Sequence, residues 1–429
     1  MKLLAAALLV SCACAAPGTP AASTRPNIVL ILADDVGVEA FGSYGGTSYS
    51  TPRLDALAAG GVRFDHAYSQ PLCTPSRVKL LTGKGNLRNY THFSILDPRE
   101  RTFADMAREA GYATGVFGKW QLFGAEHYKE WAGRGTHPRD AGFDRWALWQ
   151  VETLGSRYWS PRIDVDGEVI DFPERFGTDV FCDALLEFAA QSGDQPFLAY
   201  FPMALVHSPF VKTPDSVEGE QTKQERFADM MAYMDVSVGR LEDGLAELGA
   251  LENTLFLFVG DNGTDNAIRS MQNGREIRGG KAYSNDAGTH VPMIASWPGT
   301  IEPGTCDDLV DLSDFWPTFS EALGVRAEDD LDGRSFLPQL LGKPGQPRDV
   351  LTLYSNPRPP GTKRNPRVRF ARDKRYKLYD DGRFFDTHAD PDEGLPLEHN
   401  QVTRVLREVR AGLQRALDAM PSEPAHLLP

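Results

Sequence analysis

Asp34 and Asp35 close the run NIVLILADD, and Asp261 and Asn262 close TLFLFVGDN, more than two hundred residues later in a chain of 429. Each pair has an ordinary explanation, because aspartates after a strand cap helices and Asn-Gly makes turns. Together they mean more. Three carboxylates and an amide oxygen converging on one place would repel one another unless a cation sat among them. All-oxygen ligation by Asp and Asn suits a hard divalent ion, calcium or magnesium, and not zinc. Positive charge is available at Arg77, at Lys119 in GKWQL and at Lys281 in RGGKAYSNDAGTHVP, and a titratable ring at His207 in VHSPF. Singly, these read as surface lysines, a first-turn arginine and a satisfied histidine.

Cys73, in PLCTPSRVKLLTGK, is harder to place. The chain has five cysteines, at 12, 14, 73, 182 and 306. The first two belong to the leader, and Cys182 and Cys306 read as small buried hydrophobes in preference to a disulfide. Cys73 is left at the mouth of a helix, four residues before an arginine whose charge opposes the helix dipole. That mismatch is relieved if an anion lies at the helix start.

The elements that must position these residues follow from periodicity. NIVLILA is a continuous apolar run of the kind a strand buried on both faces shows. TPRLDALAAGG follows as a helix with Thr51 as cap, Pro52 at its first position and a double-glycine stop. TFADMAREAGYATGVFGKW gives a helix opened by Thr102 and Asp105, then a strand ending near Lys119. TDVFCDALLEFAAQ is a helix, PFLAYFP a strand running out toward His207, and residues 224–248 a long helix before TLFLFVG. Alternation of this kind predicts an α/β fold, a doubly wound and mostly parallel sheet flanked by helices. Asp34-Asp35, Lys119, His207 and Asp261-Asn262 then all stand at strand ends, where open α/β sheets bind ligands.

After about residue 342 the pattern changes. RVRFARDKRYKLYDDGRFFDT reads as an antiparallel hairpin turning at Asp381-Gly382, and an amphipathic helix closes the chain. The expected organisation is a leader over 1–22, a catalytic α/β domain over 25–344 and a smaller antiparallel subdomain with a helix over 345–429. The leader, MKLLAAALLVSCACAAPGTP, reads as an export signal, either cleaved after Ala13-Cys14-Ala15 or lipidated at Cys12. Export would place the protein in a periplasm, outside the cell or anchored to a bacterial envelope. No later run is long and apolar enough for a transmembrane segment. A formal net charge of −14 argues against nucleic-acid partners, and an anionic substrate would need a locally positive site.

The pentapeptide CTPSR fits the Cys-x-Pro-Ser-Arg pattern of type I sulfatases, arylsulfatase-like members of the alkaline-phosphatase superfamily. NIVLILADD, GKW, HSP, DNG and GGK…GTHVPMIASWPG agree with that family in order, and KRYKLYDDGRFFDTHADPDE resembles its C-terminal tail. The resemblance implies a sulfuric ester hydrolase in which Cys73 is oxidised to formylglycine (3-oxoalanine) by a formylglycine-generating enzyme that reads Pro75 and Arg77. One calcium ion would be held by Asp34, Asp35, Asp261, Asn262 and residue 73. The hydrated aldehyde would attack the sulfur of a sulfate ester, and its second hydroxyl would then release sulfate. Arg77 and Lys119 would steady the nucleophile and sulfate oxygens, with His207 and Lys281 beside the leaving oxygen. Counting the ion, the site would carry a net charge of about +2, suited to a singly charged ester.

One position departs from the family. GKW is commonly followed by a histidine credited as a base, and here the residue is Gln121. Glutamine can bind a sulfate oxygen but cannot accept a proton at neutral pH, which leaves His92, His290 or solvent for that task. The segment 120–164 is long and aromatic. Trp146 and Trp149 in GFDRWALWQ read as a packed strand edge, whereas Tyr158 and Trp159 are the expected sugar-stacking contacts, with Arg157 and Arg162 near for anionic groups. A sulfated carbohydrate is the expected substrate. The alternatives are a phosphodiesterase or phosphonate hydrolase of the same superfamily, or an inactive relative that binds sulfated glycan.

Overall fold

The computed structural model describes residues 25–357, 367–422 and 424, so the expected leader at 1–22 lies outside the described residues. Strands β1 (Asn27–Ala33), β2 (Val62–Tyr68), β3 (Ala113–Lys119), β4 (Arg145–Trp149), β5 (Arg162–Val165), β6 (Glu168–Asp171), β7 (Phe197–Pro202) and β8 (Thr254–Gly260) are separated by helices, except that β4, β5 and β6 follow one another directly. A short hairpin, β9 (Arg269–Gln272) and β10 (Arg275–Arg278), stands apart, and β11 (Met293–Ser296) and β12 (Gly304–Asp311) return to the main sheet. That sheet has ten strands in the order β12-β2-β11-β8-β1-β7-β3-β4-β5-β6. β8, β1, β7, β3 and β4 pair in parallel, while β11 and β5 run against their neighbours.

β1 lies at the centre because both of its faces are apolar. Ile28, Leu30 and Leu32 enter one core and Val29, Ile31 and Ala33 the other. Its carboxyl end therefore emerges between those of β7 and β8. The helices that cover the sheet start where the sequence places them: Thr102 and Asp105 form a reciprocal cap on Phe103–Glu109. The helix α1 (Pro52–Gly60) differs. Thr51 makes no side-chain cap; the Asp235 carboxylate accepts from the amides of Arg53 and Leu54 at 3.0 and 2.8 Å instead. A distant carboxylate supplies the cap that the local sequence assigned to the threonine.

The C-terminal segment forms a second sheet, β13 (Leu351–Ser355), β14 (Val368–Arg372), β15 (Tyr376–Tyr379) and β16 (Phe384–Asp386), all antiparallel. The expected single hairpin is thus a meander with an additional turn at Asp373–Arg375. The helix Arg404–Ala419, capped by Thr403, packs Leu413 and Leu417 against it. Among the described residues no helix is long and apolar enough to cross a membrane. Cys182 and Cys306 are buried and unpaired, in different cores.

Candidate active site

The site is built on strand ends. β1 delivers Asp34 and Asp35, both fully buried, with Asp35 in the left-handed region at φ 64°. An aspartate tolerates that conformation better than most residues, and it reverses the chain so that both carboxylates face the edge. β8 delivers Asp261 and Asn262, also fully buried. The two strand ends are stitched together: the Asp35 amide donates to Asp261 Oδ1 at 3.1 Å, and Asn262 Nδ2 donates to Asp35 Oδ1 at 2.9 Å.

Cys73 opens helix α2 (Cys73–Thr82), with extended backbone at Leu72 aiming it at this edge. Its Sγ lies 3.3 Å from Gln121 Oε1. Gln121 follows β3 and adopts φ 56°, turning back after its amide has bonded the Gln150 carbonyl at 3.2 Å. Burial pushes the Cys73 thiol above its ordinary value, with Asp34 and Asp261 adding to the rise against Lys119 and Lys281. A thiol kept protonated is a weak nucleophile, so the unmodified side chain is poorly suited to attack.

Arg77 resolves the dipole mismatch. Its guanidinium donates to Asp261 Oδ2 at 3.3 and 3.0 Å and to the Lys119 carbonyl at 3.0 Å, with Asp34 Oδ2 at 3.8 Å. The anion at the helix start is therefore a carboxylate from β8. Ser76, whose role no local pattern shows, donates to the Asp261 carbonyl at 2.5 Å and accepts from the Gln70 amide. Ser76 and Arg77 together hold Asp261 from both ends, which gives the Ser-Arg of CTPSR a structural reason.

Lys119 Nζ lies 2.7 Å from Asp34 Oδ2, and Lys281 Nζ 2.5 Å from Asp35 Oδ2. His207 Nε2 is 3.7 Å from the same Asp35 oxygen. Burial alone would raise Asp34 and Asp35, but His207, Lys281, Lys119 and, for Asp34, Arg77 outweigh it and hold both below the ordinary range. Asp261 goes the other way: burial and the neighbouring Asp34 push it up to about 7 despite Arg77. Burial also depresses His207 to about 4, against the pull of Asp35 and Asp34.

The donor set fits a divalent cation. Asp34 Oδ1 and Asn262 Oδ1 are buried without any hydrogen-bond partner among the described residues, an expensive condition for acceptor oxygens. Ligand atoms of Asp34, Cys73 and Asp261 lie within 4.8 Å of one another, as do those of Asp34, Asp35 and His207.

Other expectations are corrected. Tyr158 is only 3 % exposed and stacks on Phe176; its hydroxyl shares its one proton between the carbonyls of Ala204 and His207, at 2.7 and 2.5 Å. It has no open ring face for a sugar and instead supports the His207 turn. Arg157 is also engaged, 2.8 Å from His207 Nδ1, against the Ser208 carbonyl and over the Trp149 ring. Arg162 pairs with Asp171 at the surface. Trp159 remains 42 % exposed, edge-on to Phe176. His290 packs on Tyr68 and bonds the Asp65 carbonyl, and His92 lies flat on Trp131 at 4.2 Å. The side chain that meets Cys73 is Gln121. Glu39 and Thr264, buried and bonded to each other behind the edge at 2.5 Å, gave no sequence signal.

The family model described as Sulfatase matches residues 26–325, and one described as N-sulphoglucosamine sulphohydrolase, C-terminal, matches 280–420. Human arylsulfatase A is 32 % identical over 376 residues, covering 78 % of this chain and 71 % of that protein. N-acetylgalactosamine-6-sulfatase of Canis lupus familiaris is 32 % identical over 387 residues, covering 81 % and 72 %. A protein solved in complex with its substrate D-glucosamine-2-N,6-O-disulfate shares the fold, at TM-score 0.75 and 20 % identity over 92 % of this chain and 98 % of the other. The chain belongs to the sulfatase family and is a sulfuric ester hydrolase of the arylsulfatase-like type.

Proposed function

We propose that this sulfatase is exported and removes sulfate from carbohydrates, using residue 73 matured to formylglycine and a calcium ion held by Asp34, Asp35, Asp261, Asn262 and residue 73. The observation that carries the reading is the pair of unpartnered buried oxygens, Asp34 Oδ1 and Asn262 Oδ1, beside a cysteine whose side chain already meets Gln121. The carbohydrate preference is supported by relatives named for sulfated amino sugars. When bound, the calcium ion would supply Lewis-acid polarisation and positive charge. The matured residue would supply a hydroxyl nucleophile in place of the thiol, through a formylglycine-generating enzyme acting on CTPSR.

The chain's own residues do the rest. Arg77 and Lys119 fix the cage and present N–H donors to the sulfate oxygens. Gln121 orients a sulfate oxygen or the residue-73 side chain without taking a proton. Lys281 and His207, converging on Asp35 from opposite loops, meet the leaving oxygen with N–H groups. Tyr158 and Arg157 keep His207 in place, and water completes the proton transfer that a histidine at 121 would perform.

The test is the enzyme produced with a formylglycine-generating enzyme. The peptide containing residue 73 should be lighter by about 18 Da, the difference between CH2SH and CHO. The matured enzyme should desulfate sulfated saccharides faster than a small aryl sulfate and leave matched phosphate esters nearly untouched. Absence of the mass change in an active preparation, or preference for a phosphate ester, would overturn the reading.

A further inference from the structure

Lys281 sits on a turn held from two sides, and its own carbonyl accepts from Asn266 Nδ2 at 2.9 Å. Ala282 adopts φ 73°, a left-handed conformation unfavourable for a residue with a β-carbon, and Tyr283 is 54 % exposed. Two backbone bonds anchor the turn on the catalytic side, from the Lys281 amide to Thr264 O and from the Ala282 amide to Pro71 O, both 2.9 Å. The second ties it directly to the loop that leads into Cys73.

Further anchors come from the C-terminal sheet. Lys377 on β15 is fully buried, with Nζ donating to the Ser284 carbonyl and to Glu393 Oε1, the latter at 2.7 Å. Tyr379 exchanges a hydrogen bond with Ser284 Oγ at 2.9 Å and donates to Glu393 Oε2 at 2.5 Å. Arg372 on β14, also fully buried, bonds Asp286 and lies over the Tyr68 ring, 3.9 Å from its centroid. Tyr68 ends β2, immediately before the segment carrying Cys73.

Burying a lysine and an arginine is a poor way to join two subdomains, because well-packed apolar side chains hold such seams equally well or better. What an ammonium does that a methionine cannot is bind the Ser284 carbonyl. We propose that Lys377 and Arg372, with Tyr379, are positioning residues: the C-terminal sheet holds the 281–286 turn so that Lys281 stays over Asp35 and beside residue 73. This rests on the reading of Lys281 as a group at the leaving oxygen. The small sheet is then part of the catalytic apparatus, although none of its residues touches the reacting atoms.

The experiment uses the matured full chain and the variants Lys377→Met, Tyr379→Phe and Lys281→Ala. Turnover is measured on aryl sulfates whose leaving groups range from good to poor, alongside melting temperature. Loss in kcat for Lys377→Met and Tyr379→Phe should grow from about threefold with the best leaving group to about thirtyfold with the poorest, as for Lys281→Ala, and Lys281→Ala/Lys377→Met should lose nothing beyond Lys281→Ala alone. Hydrogen exchange should speed up by roughly tenfold or more at residues 282–286 and stay unchanged in β1 and β8. A uniform loss across leaving groups, additive losses in the double variant, or unchanged exchange at the turn would overturn the proposal. Should Lys377→Met not fold, Tyr379→Phe carries the same decision. A matured wild type without activity on any sulfate ester would defeat the functional reading instead, and the exchange data alone would then decide whether the sheet holds the turn.

Discussion

The sheet edge and the C-terminal seam both bury cations against carboxylates, yet they are wired differently. At the seam the valences of the Glu393 and Arg372 pairs close, although Asn285 Oδ1 in the adjoining turn has no hydrogen-bond partner among the described residues. Glu393 receives Lys377 and Tyr379 on its two oxygens, and the three guanidinium nitrogens of Arg372 reach Asp286 and the carbonyls of Asp373 and Lys374. At the edge they do not, for Asp34 Oδ1 and Asn262 Oδ1 are left over, and Asp261 is lifted to about 7 by burial and by Asp34. A closed buried network holds structure, whereas an open one leaves a carboxylate oxygen that costs free energy until it is partnered. Burial alone does not separate the two, since Arg77 and Arg372 are equally inaccessible.

The largest effect should come from removing a residue that belongs to the open cluster alone. Cys73→Ala should lower sulfatase turnover by on the order of 10⁴-fold or more, while the melting temperature shifts by no more than about 2 °C. Initial rates and a thermal melt check both halves. Parallel loss of fold and activity would make residue 73 a packing element, and the edge would then resemble the seam.

Cation removal sharpens the contrast. Exhaustive chelation should lower wild-type activity by about 100-fold or more and lower the melting temperature, with calcium restoring both. Asp34→Ala and Asp261→Ala should abolish the calcium response, because the remaining carboxylates then lack a complete oxygen cage. Tyr379→Phe should keep it in full. Calorimetry with and without chelator distinguishes these outcomes, and a calcium response that survives Asp261→Ala would remove that residue from the donor set.

The open cluster was more legible in the sequence than its support. Asp34, Asp35, Lys119, Asp261 and Asn262 each end or directly follow an apolar strand, so one rule about sheet edges gathers them. Cys73 and Arg77 share a five-residue motif. What could not be read is whatever depends on packing between distant segments. Tyr158 looked like a surface aromatic beside Trp159, and only the fold shows its hydroxyl under the His207 turn. Thr51 looked like a helix cap until Asp235 arrived from a helix far along the chain. The Lys377 and Arg372 contacts join strands to a turn about ninety residues away, and no local pattern marks them.

The seam has its own pH signature, smaller than the effect expected at residue 73. His290 stacks on Tyr68 below Arg372, and burial, together with Arg372 and His66, depresses it to about 4 despite the pull of Asp286. A histidine lowered in the folded state favours folding above its unfolded value near 6.5, and that contribution is lost as pH falls toward 4. At pH 5 the cost would be roughly 2 kcal/mol relative to pH 7. Melts of wild type at pH 7 and 5 should therefore differ by more than those of His290→Gln. Equal shifts in the two proteins would place the acid sensitivity elsewhere.

The smallest expected effect concerns the rim. Trp159 keeps 42 % of its surface exposed while its indole nitrogen donates to the Lys212 carbonyl at 2.7 Å and its ring rests edge-on against Phe176. A flat apolar surface pinned in this way loses little entropy when a sugar ring stacks on it. Neither cluster of buried charge touches it, so its removal should disturb neither the cation response nor the leaving-group dependence. Trp159→Ala is expected to raise KM for a sulfated oligosaccharide by about threefold to tenfold, with kcat unchanged and with an aryl sulfate unaffected. Tyr158→Phe should do the reverse, lowering kcat on both substrates through the loosened His207 turn while leaving KM alone. If Trp159→Ala weakens both substrates equally, the ring supports the fold as Tyr158 does, and the sugar is held from another side of the site.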